Sequence, residues 1–166
     1  FVRYWVHTAM VHHKDEKMSK SIGNLVMVRD LLEDWTPDAL RLYLARHHYR
    51  ETWSHNLQEL DQAAQLSRKL EAATRAEGGH SKPLDPAPAR MAFIAAMDDD
   101  IDTPSAIGHL ERLADAVLEG SQRGGTVTAA QEALRSMGGV FGLRFNAPEP
   151  EIRVSGPWER YLKAFA

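Results

Sequence analysis

Lys17-Met18-Ser19-Lys20-Ser21-Ile22-Gly23-Asn24 is the stretch on which the rest of this chain turns. Two lysines three apart, interleaved with two hydroxyls and followed by Gly-Asn, describe a flexible polyphosphate-binding loop. Each ammonium is a mobile point charge with three donors, suited to oxygens whose charge shifts during a reaction. The hydroxyls and loop amides add hydrogen bonds, and Gly23 permits backbone angles that other residues resist. A solvated Lys/Ser surface turn is the bland reading of any two loop lysines. The particular five-residue string Lys17–Ser21 argues against it.

Working outward, Phe1 to Val11 alternates Val2, Tyr4, Val6, Thr8 and Met10 against Arg3 and His7, a period-two pattern that predicts a strand or the end of a helix. His12 to Glu16 reads as a turn delivering the loop. His12 and His13 invite a metal reading, but neighbours on a strand point to opposite faces. His7 reads as a structural histidine. After the loop, Val28, Leu31, Leu32 and Trp35 predict a short helix. Thr36-Pro37 supplies an N-cap and a proline at the first helical position, opening a helix to about His47 that buries Leu40, Tyr43 and Leu44.

Ser54 or Asn56 caps a long helix to about Ala76 with Leu57, Leu60, Ala64, Leu66 and Leu70 inward, ended by Gly78-Gly79. Three prolines between His80 and Pro88 predict a linker. Ala89–Met97 predicts a helix through Met91, Phe93 and Ile94. Thr103-Pro104 opens another, striped by Ile107, Leu110, Leu113, Ala114, Val117 and Leu118. Thr126 or Thr128 starts the last, which ends at Gly138-Gly139. Asp98-Asp99-Asp100 and Asp102 offer oxygen ligands, yet they lack the glycine and distal glutamate of a calcium loop. Carboxylates at helix starts, facing orphan amides, are the better reading. No metal site is expected in this chain.

The hydrophobic fraction of 43% and charged fraction of 26% are those of an ordinary globular protein. A net charge of −3 gives no global basic field, so an RNA partner would need a local patch. Arg29, Arg41, Arg46, Arg50, Arg68 and Lys69 are its candidates. The absence of cysteine excludes disulfides, a thiol nucleophile and cysteine-ligated zinc from this chain. No apolar run reaches membrane-span length, and a cytoplasmic setting is expected. The first residue is Phe1 and the opening reads as the middle of an element, so a fragment of something longer is expected.

Lys17–Ser21 resembles the KMSKS signature of class I aminoacyl-tRNA synthetases. Tyr4-Trp5-Val6-His7, Val28-Arg29-Asp30-Leu31-Leu32, Pro37-Asp38-Ala39-Leu40-Arg41, His48-Tyr49-Arg50 and Met97 to Pro104 follow in the order and spacing of cysteinyl-tRNA synthetase. The resemblance covers residues 1 to about 145. It departs at Ala9, where the family commonly has glycine, and at Met27, where it often has a capping Thr.

The fold it implies is mainly α: a loop-bearing remnant of a Rossmann-type catalytic domain over 1–35, stem-contact-like helices over 36–77, a linker over 78–88, an antiparallel helical bundle over 89–145 and a tail over 146–166. It implies ATP binding by Lys17, Met18, Ser19, Lys20 and Ser21, with magnesium as the counter-ion of ATP. Lys17 and Lys20 would be the catalytic pair, and Arg29, Arg41, Arg46 and Arg50 would contact tRNA. L-cysteine, ATP and tRNA(Cys) would be the substrates of a monomeric enzyme. Zinc, used by that family to select cysteine, would have its ligands outside this chain, as would the His-x-Gly-His signature, so the 166 residues alone are expected to be inactive. A cysteine–aminosugar ligase is the closest alternative, and a non-catalytic RNA- or protein-binding module is the alternative of another class.

Overall fold

Thr36 begins the helical body as its side chain predicts. Its Oγ1 accepts the Ala39 N–H at 3.2 Å, with Pro37 at the first helical position. The computed structural model describes residues 1–14, 16–19 and 21–145. Among them run β1 (Val11–His13), β2 (Glu16–Lys17), α1 (Val28–Leu31), α2 (Pro37–Ala45), β3 (Trp53–Ser54), α3 (Leu57–Arg75), β4 (Ser81–Pro83), α4 (Ala87–Asp98), α5 (Thr103–Gln122), β5 (Gly125–Thr126) and α6 (Thr128–Val140). The protein is mainly α, with a small loop-bearing sheet ahead of a helical bundle.

The sheet corrects the reading of the first residues. Residues 2–10 form no strand; the strand is β1, where a turn was expected. β1 pairs antiparallel with β2, reversing through Lys14 at φ 53°, and parallel with β3. Alternation without a bonded neighbour does not make a strand. Backbone bonds from β3 decide the position: Trp53 N–H donates to Met10 O at 3.4 Å and His55 N–H to His12 O at 2.7 Å.

α1 is only one turn long. Its N-cap is Met27, which offers no side-chain acceptor, and Val28 and Leu32 stay exposed while Leu31 and Trp35 lean on the core. α3 is capped by Asn56, whose Oδ1 accepts from Gln58 N–H at 2.8 Å. α5 is capped by Asp102, one residue before Thr103, through its bond from Ser105 N–H at 3.0 Å.

One apolar core joins α2 to α6, with Leu42, Leu60, Leu70, Leu110, Val117 and Leu134 fully enclosed. α3 lies against α2, α5 and α6, and α4 against α5. Short turns join α4 to α5 and α5 to α6, which makes them antiparallel neighbours. Four expected core positions are instead exposed: Leu44, Leu57, Met91 and Ile94. Leu42 takes the inner place on α2.

The proline-rich stretch read as a linker holds β4, which pairs parallel with β5. Gly79 N–H donates to Gly125 O at 2.8 Å, and Thr126 Oγ1 donates to Gly79 O at 3.0 Å. At the far end Asp38 Oδ2 accepts the N–H groups of Arg144 and Phe145 at 2.9 and 2.8 Å, tying the chain after α6 to the start of α2. The tail 146–166 lies outside the described residues.

Candidate functional site

Lys17 closes β2, opposite His12 on β1, and its side chain is exposed. Antiparallel pairing with β1 therefore delivers the loop from a strand edge. Met18 turns inward and lines an apolar cleft of about 420 Å³ with Val11, Leu40, Tyr43 and Trp53. Its N–H donates to Val11 O at 3.4 Å. The apolar Met18 is thus an anchor beside the outward-facing Lys17.

Beyond Met18 the loop bonds to itself. Ser19 N–H donates to Asn24 Oδ1 at 2.9 Å, and Asn24 Nδ2 donates back to Lys17 O at 3.3 Å. Ser19 Oγ accepts from Ile22 N–H at 3.3 Å and lies 3.2 Å from Ser21 Oγ. Gly23 N–H donates to Ser19 O at 3.2 Å with φ at +73°, a left-handed angle that a side chain there would resist. Asn24 is a clasp across the loop, a role that its place in the sequence beside Gly23 does not reveal. Ser21 is exposed; Lys20, the other expected catalytic lysine, lies outside the described residues.

The four candidate tRNA-binding arginines stand in four different settings. Arg29 is exposed and pairs with Asp30 at 3.1 Å. Arg41 lies 3.7 Å from Asp38. Arg46 lines a cleft of about 240 Å³ with Tyr43, His47, Glu59 and Gln62. Arg50 is bound by both side-chain oxygens of Asp100. Lys69 is engaged by Glu111 and Asp115 at 2.8 and 3.0 Å.

Behind the loop-bearing strand lies a ring cluster. His47 stacks on Trp53 at 3.8 Å between centroids, and the Tyr43 hydroxyl, which accepts from Asn56 N–H, shares a hydrogen bond of 2.9 Å with Nδ1 of His55. Burial pushes the Tyr43 hydroxyl up and holds both histidines below their usual range; for His55 the nearby His13 adds to this. Glu59 lies 3.5 Å from His47 Nε2 without a hydrogen bond, and burial outweighs its attraction. His12, His13 and His7 form no ligand set: among the described residues no group of three or more His, Cys, Asp or Glu is arranged to hold a metal ion.

Residues 1–65 match the model of the "tRNA synthetases class I (C) catalytic domain", and residues 92–146 match that of the "DALR domain". Together with the hairpin-borne lysine loop and the helical body, these define a class I aminoacyl-tRNA synthetase segment. Among its relatives is a cysteine–tRNA ligase of Aromatoleum aromaticum, 40% identical over 149 residues, covering 89% of this chain and 31% of that protein. Another, from Alkalilimnicola ehrlichii, is 40% identical over 156 residues, covering 92% and 34%. A third, from Nitrosococcus oceani, is 36% identical over 171 residues, covering 93% and 35%. The chain belongs with the cysteinyl-tRNA synthetases, and it spans about a third of the length of the curated relatives it matches.

Proposed function

We propose that this chain supplies the pyrophosphate-side loop and the helical domain of an ATP-dependent cysteine–tRNA ligase. In that reaction the carboxylate of L-cysteine attacks the α-phosphorus of ATP, giving cysteinyl-adenylate and pyrophosphate. The acyl group then passes to the terminal ribose of tRNA(Cys). Lys17 and Lys20 meet the charge that develops on the leaving pyrophosphate, with Ser19, Ser21 and the loop amides holding its oxygens. The magnesium that accompanies ATP shares that charge. Arg29, Arg41, Arg46 and Arg50 are the proposed phosphate contacts to tRNA, which would position it without reading its sequence. An enzyme consuming these substrates works in the cytoplasm, and we propose a monomer.

The observation that carries this reading is the loop itself: a lysine-serine string set on a strand edge, anchored by Met18 and clasped by Asn24. The test is Lys20→Ala in the full-length enzyme. Cysteine-dependent ATP–pyrophosphate exchange is expected to slow roughly a hundredfold or more, the loss of about 2–4 kcal/mol for one charged donor, with ATP affinity changed far less. An unchanged exchange rate with weakened ATP binding would make the loop a simple anchor. Transfer of cysteine to a sugar amine instead of tRNA would place the chain with the aminosugar ligases.

A further inference from the structure

The turn between α4 and α5 holds two successive residues, Asp100 and Ile101, in the left-handed region at φ 51° and 56°. L residues resist this conformation, and it persists where surroundings impose it. Here the surroundings are three consecutive residues from the other end of α2. The Asp100 carboxylate accepts from the Tyr49 hydroxyl at 2.7 Å, from Arg50 Nε at 2.6 Å and from Arg50 Nη2 at 2.9 Å. His48 Nε2 donates to the Asp100 carbonyl at 3.2 Å, while His48 Nδ1 accepts Arg50 N–H at 3.3 Å. A single neutral tautomer, protonated on Nε2, satisfies both bonds. The Arg50 guanidinium also lies 4.9 Å over the Tyr49 ring.

The same 48–50 turn is bonded on its other side to the strip that bears the lysine loop. Tyr49 O accepts from Ala9 N–H at 2.7 Å, and β3, three residues further on, pairs with β1. β1 in turn carries β2 and Lys17. Direct bonds therefore run from the α4–α5 turn to the strand beneath the loop.

We propose that Asp100 is a positioning residue for the lysine loop. Through the fork to Arg50 and Tyr49 it fixes where the 48–55 segment, and with it the β1–β2 hairpin, stands against the helical body. The proposal rests on the reading of that loop as the pyrophosphate-binding element. Asp100 touches no substrate. Its charge matters because a bidentate guanidinium pair needs two accepting oxygens, and an amide offers only one. This sets Asp100 apart from Asp102, which caps α5.

Two variants of the full-length enzyme separate positioning from folding. Asp100→Asn keeps the size of the side chain and tolerates the left-handed angle. Asp100→Gly favours that angle but removes the clamp. In both, amide hydrogen exchange over residues 9–18 is expected to accelerate by about tenfold while α5 and α6 keep their protection. The kcat for ATP–pyrophosphate exchange is expected to fall by about tenfold, with KM for ATP within about twofold of the unmodified protein. Asp100→Asn combined with Arg50→Gln should be no worse than the worse single change. Asp99→Asn, one residue away and exposed, should behave as the unmodified chain.

Unchanged exchange over 9–18 in both variants would overturn the proposal. So would equal loss of protection throughout the helices, or additive effects of the two clamp changes. If the unmodified full-length enzyme shows no ATP–pyrophosphate exchange, the functional reading falls, and hydrogen exchange over 9–18 still decides the clamp.

Discussion

Asn24 does its work with a short side chain at short range, and its loss should be felt in the loop before anywhere else. Asn24→Ala removes the acceptor for Ser19 N–H and the donor to Lys17 O. Each such bond contributes about 0.5–1.5 kcal/mol, so amides 19–23 should exchange several-fold faster and pyrophosphate exchange should slow by about tenfold. Asn24→Asp keeps the acceptor and loses the donor, and should fall between. Asp100 makes a second prediction at this scale. The Arg50 and Tyr49 hydrogen bonds hold its carboxyl down from the usual 3.8 to about 2. A carboxylate lowered on folding contributes stability that is complete above the ordinary value and lost as pH falls through the lowered one. The clamp should therefore persist to about pH 4 and open between pH 4 and 2, read as faster exchange at Ala9 and Val11. The chemistry of Lys17 and Ser19 is legible in their residue types. The roles of Asn24 and Asp100 are not, because each depends on a backbone angle that brings its partner across a turn. For Asp100 that partner is fifty residues away.

At the scale of elements, periodicity placed the helices and then misassigned several faces. α2 and α4 carry apolar residues on more than one side, and a stripe gives the period without saying which side meets a neighbour. Leu44, Met91 and Ile94 accordingly face out, while Leu42 and Phe93 face in, and Leu57, the first residue of α3, is exposed as well. Leu110→Ala should cost about 2–5 kcal/mol by urea unfolding, and Ile94→Ala within about 0.5 kcal/mol. The histidines around α2 and β3 add a pH dependence. His47 and His55 are half-buried, and that burial makes them titrate below their usual 6.5. The unfolded chain takes up protons first as pH falls, so stability is complete above the ordinary value and declines on acidification through the lowered ones. The urea midpoint should drop between pH 7.5 and 5.5, and His47→Gln with His55→Gln should flatten that drop. The early strand was misplaced for a physical reason: alternation over residues 2–10 describes a surface, and pairing with β3 begins at Val11.

For the molecule as a whole, the proline-rich stretch is the instructive case. Proline content marks a break in helix but says nothing of distant backbone, so the β4–β5 ladder was invisible in the sequence. Gly79 makes that ladder possible: a Cβ there would collide with the Gly124 carbonyl oxygen. Gly79→Ala must therefore push two backbones apart. It should lower stability by roughly 1–3 kcal/mol in thermal unfolding, with Gly139→Ala, where no atom lies within 4 Å, as the benign comparison.

Neither family match has its edge at that break. The first ends at residue 65, inside α3, and that helix lends side chains to a single core shared with α5 and α6. Parts exchanged between homologues at that boundary would bring half a jigsaw from each parent. A recombined enzyme is better cut at exposed Asp85, after the ladder, with the whole of α3 kept beside the parent of α2; even there, Leu60 and Leu70 of one parent must share a core with Leu110 of the other.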